Sequence, residues 1–196
     1  MQAAEIELKF PVADASALRR AAVALGFALL TERAFESNTL YDTAERTLRG
    51  RREILRLRLY NSRWTLTHKA PRPQDLRAEA EVRYKTRIET ESVVEDGEAL
   101  AAVFAALGYT SVFRYEKFRE EWTDASGHLV IDETPIGTWA ELEGPPEWID
   151  ARIEALGIDA SLCSTDSYGK LFLRWKQETG SPAEHLTFDE VGALVA

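Results

Sequence analysis

One cysteine, one methionine and three scattered histidines are all that 196 residues contain of these types. A single thiol, Cys163, excludes an internal disulfide, and no Cys/His cluster with zinc spacing can be assembled. No apolar run approaches the roughly 20 residues of a membrane-spanning helix, so no membrane partner is expected. The opening residues, Met1-Gln2-Ala3-Ala4-Glu5, lack the basic and apolar stretches of a secretory leader. These absences imply a reducing cytoplasm. Positive charge is also scarce: 24 Lys and Arg stand against 33 Asp and Glu, a net charge of −9. A surface that binds duplex nucleic acid or anionic lipid should be basic, so no duplex partner is expected either. There is no low-complexity tract and no long linker. One domain over residues 1–196 is expected, with a helical tail from about 146.

Hydrophobic periodicity and turn residues supply the elements. Residues 5–11 read as a strand closed by Pro11. Residues 14–25 read as a helix with an apolar stripe of Leu18, Ala21, Ala22 and Leu25, stopped by Gly26. Strands are predicted at about 35–41, 53–60, 63–69 and 79–94, with Asn61-Ser62 as a hairpin turn. A helix at 96–107 ends at Gly108. Strands follow at about 112–122, 128–133 and 138–143, with Ala125-Ser126-Gly127 as a turn. Helices return at about 146–156, 166–177 and 187–195. Eight mostly hairpin-linked strands with helices outside predict an α+β fold: an eight-stranded antiparallel β-barrel whose interior can hold a ligand.

The basic residues that are present are clumped on strand faces. Residues i, i+2 and i+4 of a strand share a face. Glu5, Glu7 and Lys9 therefore oppose Ile6, Leu8 and Phe10. Arg56 and Arg58 oppose Leu55, Leu57 and Leu59. Thr65, Thr67 and Lys69 oppose Trp64 and Leu66. Glu81, Arg83, Lys85, Arg87, Glu89 and Glu91 align on the longest predicted strand. Tyr115, Lys117, Arg119 and Glu121 oppose Phe118 and Trp122. Asp132 opposes Ile131, and Glu141 and Glu143 oppose Leu142. Any one such strand is explained by a solvated outer face. Taken together, the first and last strands are acidic and the middle ones basic. If the apolar faces pack on outer helices, the charged faces line the lumen. Buried charge of that density requires water, internal ion pairs or a charged ligand. Clustered carboxylates suit Mg²⁺ or Mn²⁺, and the Arg and Lys side chains suit phosphate oxygens.

Glu5-Ile6-Glu7-Leu8-Lys9 resembles the ExExK signature of the CYTH superfamily, the triphosphate tunnel metalloenzymes. The resemblance continues in family order through Tyr41-Asp42, Leu55-Arg56-Leu57-Arg58, Leu66-Thr67-His68-Lys69, Arg87-Ile88-Glu89, Tyr115-Glu116-Lys117-Phe118-Arg119, Ile131-Asp132-Glu133-Thr134-Pro135-Ile136-Gly137, Glu141-Leu142-Glu143-Gly144 and Ser167-Tyr168. It is closest to bacterial members labelled class IV adenylate cyclase-like.

The resemblance implies an eight-stranded tunnel that processes a small-molecule triphosphate with Mg²⁺ or Mn²⁺. Glu5, Glu7, Glu141 and Glu143 would be metal ligands, and Asp132 a metal or water ligand. Lys9, Arg56, Arg58, Lys69, Arg87, Lys117 and Arg119 would bind the triphosphate. Lys170 lies where some family hydrolases place a basic residue near the reacting group, although an exposed helix lysine explains it as well. Arg83, Lys85 and Arg114 are further candidates for the tunnel face, and a homodimer is admissible. The leading expectation is hydrolysis of inorganic triphosphate. The alternatives are an adenylate cyclase, a thiamine triphosphatase and a non-catalytic polyphosphate or nucleotide sensor. No histidine general base is evident: His68 falls on the face opposite Lys69, and His128 and His185 have no partner in sequence. The tryptophans read as packing residues.

Overall fold

A computed structural model describes the backbone of residues 2–72 and 83–192, and side chains in that range from Ile6 onward. The strands are β1 (Gln2–Pro11), β2 (Ala28–Thr43), β3 (Ile54–Tyr60), β4 (Arg63–Ala70), β5 (Lys85–Val94), β6 (Tyr109–Thr123), β7 (His128–Thr134) and β8 (Gly137–Glu143). The helices are α1 (Ala15–Ala24), α2 (Thr47–Gly50), α3 (Gly97–Ala106), α4 (Pro146–Ala155), α5 (Tyr168–Thr179) and α6 (Phe188–Gly192). The strands close into an antiparallel barrel in the order β1-β5-β4-β3-β2-β6-β7-β8, with β8 returning to β1. None of the described helices is long and apolar enough to cross a membrane.

Alternation decides which side of each strand is wet. The outward residues Leu8, Phe10, Leu129, Ile131 and Leu142 meet Leu18 and Ala22 of α1 and Ile149 and Ile153 of α4 in one buried cluster. Burying such side chains contributes roughly 1.5–3 kcal/mol each. A second cluster joins Tyr115 of β6 to Tyr168, Leu171 and Phe172 of α5, with Leu186 and Val191 from the chain beyond. The helices thus cover the apolar faces, and the charged faces are left to the lumen.

Several boundaries depart from the sequence reading. β2 begins seven residues before the predicted 35, because its first half carries irregular pairing with β6 between Leu29 and Ala34 rather than clean alternation. α2 was not anticipated; Asp42 caps it by accepting from the backbone N–H of Thr43, Leu48 and Arg49 at 2.8, 2.9 and 3.0 Å. The long strand predicted at 79–94 starts at Lys85. Residues 79–82, including Glu81, lie outside the described residues, and Arg83 and Tyr84 turn aside to bond Asp150 of α4. The last helix is described to Gly192; residues 193–195 of the predicted span lie outside the described residues. At the β3–β4 hairpin Asn61 and Ser62 both take positive φ, 49° and 59°, as a two-residue turn of the twist-matching kind requires.

Two local devices are testable. Gly97 opens α3 directly against Trp64, and a Cβ there would meet the indole Cδ2 at 2.2 Å. Gly97→Ala should cost about 1–3 kcal/mol by overpacking; Gly50→Ala, with nothing within 4 Å, is the control in thermal unfolding. Burial alone would raise the pKa of Asp42, but its three backbone N–H partners and Arg46 hold it below the usual range. Its stabilisation is therefore present above the unfolded pKa of about 3.9 and lost as pH falls through the lower folded value. Urea unfolding should give a wild-type advantage over Asp42→Asn of roughly 2 kcal/mol at neutral pH. That advantage should shrink as the solution is acidified below that value.

Candidate active site

The strand register brings the charges together. Lys9 of β1 lies opposite Glu141 of β8, and Glu7 opposite Glu143. On the other side of β1, Glu7 faces Lys85 of β5. The result is a cavity of about 260 Å³ lined by Glu7, Lys9, Arg56, Arg58, Lys69, Lys85, Glu89, Glu91, Tyr115, Lys117, Arg119, Glu121, Glu141, Glu143 and Tyr168, with Leu40, Ile54 and Phe113 as an apolar portion of the wall. A second cavity of about 540 Å³ shares Arg58, Glu91 and Glu121 with the first and adds Thr31, Tyr60, Asn61, Arg63 and Thr65. The two chambers therefore have three wall residues in common.

Glu7, Glu141 and Glu143 each offer one carboxylate oxygen, and these oxygens lie within 4.8 Å of one another. Three hard oxygen donors at this spacing suit Mg²⁺ or Mn²⁺. Two of them carry ammonium partners: Lys9 donates to Glu141, and Lys85 donates to Glu7. Burial would push the Glu7 carboxyl up, but Lys85, Lys9 and Lys69 outweigh it and hold the group well below the usual carboxylate range. Lys9 moves the other way. Its burial, with help from Lys85 and Lys117, outweighs Glu7 and Asp132 and lowers it to about 7.

Asp132 organises the cationic wall. It is fully buried. Its Oδ1 accepts from Arg119 Nε at 2.8 Å, and its Oδ2 from Lys117 Nζ at 2.8 Å, Arg119 Nη2 at 2.7 Å and the Tyr168 hydroxyl at 2.6 Å. Against the raising effect of burial, Arg119 and Lys117 keep it far below the usual range. Burial, and then Asp132, push the Tyr168 hydroxyl well above its ordinary value, so it stays a donor. Arg119 Nη2 also reaches Glu141 at 2.8 Å, linking this wall to the carboxylate group. Arg56 is held by Tyr115 Oη at 3.3 Å and Thr67 Oγ1 at 3.2 Å, with Glu89 and Glu91 each at 3.6 Å. Lys69 lies 3.2 Å from Glu89.

The model of the CYTH domain matches residues 3–145 of this chain. The chain belongs to the CYTH family. A Methanocaldococcus jannaschii protein named as a candidate adenylate cyclase is 27% identical over 140 residues, covering 71% of this chain and 75% of its own. Among solved structures, a candidate adenylate cyclase from Vibrio parahaemolyticus superposes with a TM-score of 0.72 at 19% identity, over 86% of this chain and 97% of its own. HpAC1 from Hippeastrum, described as a candidate adenylyl cyclase with a dominant triphosphatase activity, superposes with a TM-score of 0.58 at 20% identity, over 89% and 96%. At these identities the structural likeness concerns the fold.

Most of the residues singled out from the sequence meet in the CYTH lumen: Glu7, Lys9, Arg56, Arg58, Lys69, Lys117, Arg119, Glu141 and Glu143, with Lys85 beside them. The Glu5 side chain lies outside the described residues, although its backbone pairs with Arg87. Arg87 is not among the lining residues and donates to the Arg52 carbonyl at 2.8 Å. Asp132, expected as a metal or water ligand, is instead occupied by its four hydrogen bonds and stands behind the cations. Arg114 falls on the outer face of β6, 3.5 Å from Glu190, because it alternates with the lumen residues Tyr115 and Lys117. Arg83 is exposed beside Asp150, and Lys170 is exposed beside Asp166 at 3.4 Å; neither lines the lumen. His68 is partly exposed beside Glu53, outside the lumen. Sequence reading assigned no role to Tyr168, Tyr115, Glu36 or Asn38. Tyr115 and Tyr168 carried a signal as part of the family pattern, and Tyr115 also through its place on the strand face of Lys117 and Arg119; Glu36 and Asn38 carried none.

Asp132→Ala should expose the dependence of the wall on this carboxylate. Removing this carboxylate takes four hydrogen bonds from the buried wall and leaves Lys117 and Arg119 with only part of their counter-charge, Glu36 and Glu141; it should cost about 3 kcal/mol, measured as a drop in denaturant midpoint. Asp150→Ala, which breaks an exposed pair, should cost less than about 1 kcal/mol.

Proposed function

We propose that this chain is a divalent-metal-dependent triphosphatase acting on inorganic triphosphate. Family members are adenylate cyclase-like or triphosphatases. The observation that carries the reading is the adjacency, in one lumen, of the Glu7, Glu141 and Glu143 oxygens to Lys9, Arg56, Arg58, Lys69, Lys117 and Arg119. A divalent ion held by the three glutamates would neutralise phosphate oxygens and polarise water. The chain's own side chains do the rest. Lys117 and Arg119, oriented by Asp132, and Arg56, oriented by Tyr115 and Thr67, present donors fixed before substrate arrives. Donors fixed in advance in a dry site stabilise the charge that develops on transferred phosphoryl oxygens. A water oxygen bonds to the terminal phosphorus, the bridging P–O bond breaks with its electron pair going to the leaving pyrophosphate, and the proton lost by the water passes to solvent as phosphate and pyrophosphate leave.

One observation favours a second reading, cyclisation of ATP with loss of pyrophosphate. Leu40, Ile54 and Phe113 give the cavity an apolar wall that a planar base could cover. Inorganic triphosphate remains first because the charged groups outnumber this wall and make the polar contacts.

The test is to offer inorganic triphosphate, ATP and thiamine triphosphate with Mg²⁺ or Mn²⁺, and to separate the products by chromatography. Phosphate and pyrophosphate should form from inorganic triphosphate, cease with chelator and return with added metal. Arg56→Ala should weaken substrate binding roughly ten- to a hundredfold through loss of a charge-assisted contact. Cyclic AMP with little cleavage of inorganic triphosphate would reverse the order of the two readings. Full turnover in chelator would overturn both.

A further inference from the structure

Behind the cationic wall lies a pair of polar residues that neither cavity touches. Glu36 and Asn38 of β2 are both fully buried, and neither is among the lining residues of the two chambers. Asn38 Nδ2 donates to Glu36 Oε1 at 2.8 Å. Among the described residues, Glu36 Oε2 and the Asn38 carbonyl accept no hydrogen bond. A buried carboxylate oxygen without a donor is costly, so its surroundings need an explanation.

Three cations stand around this carboxylate, two beside Oε2 and one beside Oε1. Arg58 Nη1 lies 3.9 Å and Arg119 Nε 3.8 Å from Oε2, and Lys117 Nζ lies 3.4 Å from Oε1. All three cations line the cavity. Asp132, by contrast, holds Lys117 and Arg119 at 2.7–2.8 Å. The two carboxylates therefore do different things. Asp132 takes donor hydrogens out of use. Glu36 attracts the same cations without occupying their hydrogens. Arg58 depends on it most, because its Nε has no acceptor and its other carboxylate neighbour, Glu91, is 3.7 Å away. Burial would raise the Glu36 pKa, but Lys117, Arg119 and Arg58 bring it to about 2, so the group stays charged.

We propose that Glu36, clamped by Asn38, is a positioning residue for the phosphate-binding wall. Its charge helps fix where Arg58, Lys117 and Arg119 stand along the lumen without taking up their donor hydrogens, which can then bond phosphate oxygens. The inference rests on the reading of the lumen as a triphosphate site. It goes beyond that reading by giving a role to a residue that touches no substrate.

The test uses the full chain, with two readouts: calorimetric binding of pyrophosphate, and steady-state hydrolysis of inorganic triphosphate. Glu36→Gln keeps the shape and removes the charge. It should bind pyrophosphate several-fold tighter, because a buried anion near a polyanion is gone. Its kcat should fall by about tenfold or more, because small misplacement of a catalytic group is expensive in rate. Glu36→Asp keeps the charge but draws it back; pyrophosphate affinity should stay near the wild-type value while kcat falls. Asn38→Leu leaves the charge and removes the clamp, and should behave like Glu36→Asp. A purely structural role predicts a lower Tm with kcat and pyrophosphate affinity unchanged, and that result in Glu36→Gln overturns the proposal. If Glu36→Gln does not fold, unchanged kcat in both Glu36→Asp and Asn38→Leu overturns it. If the wild type binds pyrophosphate but cleaves nothing, hydrolysis is wrong and the affinity change alone decides the role of Glu36. If the wild type does not bind pyrophosphate, both ideas fail.

Discussion

The rest of the site hangs on the four hydrogen bonds that converge on Asp132. A closed barrel with charged inner faces must neutralise those charges within itself, since a buried ion without a partner is strongly unfavourable. Asp132 does this for Lys117 and Arg119 of the neighbouring strand, and through the Tyr168 hydroxyl it ties α5 to the same point. The C-terminal helix is thus connected to the lumen as well as packed on it. Tyr168 also lies under two ammonium groups, with Lys9 4.1 Å and Lys117 4.8 Å from its ring centre. Its ring face and its hydroxyl serve opposite charges.

The charges of the lumen pair with one another: Lys9 with Glu141, Lys85 with Glu7, Arg119 with both Asp132 and Glu141. On the proposed function this pairing exchanges partners. Glu7, Glu141 and Glu143 would hold a divalent ion with carboxylates that now pair with Lys9 and Lys85, and those ammonium groups would then be open to the polyanion. Each ligand prepares the site for the other, so their affinities should be linked in both directions.

The barrel and most of its inner face were legible because charge alternates with bulky apolar residues on β1, β3, β4, β6 and β8, and a period of two admits few other architectures. β2 defeated the same reasoning. Glu36-Ser37-Asn38-Thr39 is polar at every position, so no alternation marks its inner side, and Glu36 and Asn38 passed unnoticed. Asp132 was placed on the correct face, but its partners come from a neighbouring strand and a distant helix, which strand periodicity does not reveal. Tyr168 stands at the start of α5, and where a helix end docks is a matter of tertiary packing. Arg114 stands one residue from a lumen position, and in a strand that is enough to put it outside.

The three glutamates that share a site come from opposite ends of the barrel sequence, Glu7 from β1 and Glu141 and Glu143 from β8. The β1–β8 seam joins Glu7 to Glu143 and Lys9 to Glu141, residues at opposite ends of that sequence. Contacts of that span carry a large loop-closure entropy and slow the folding of β-rich topologies. The ligand oxygens do not converge until this seam has formed. A chain still being synthesised therefore presents one of the three carboxylates until its last strand is made, and on the proposed function divalent-ion binding would report closure of the barrel rather than progress toward it.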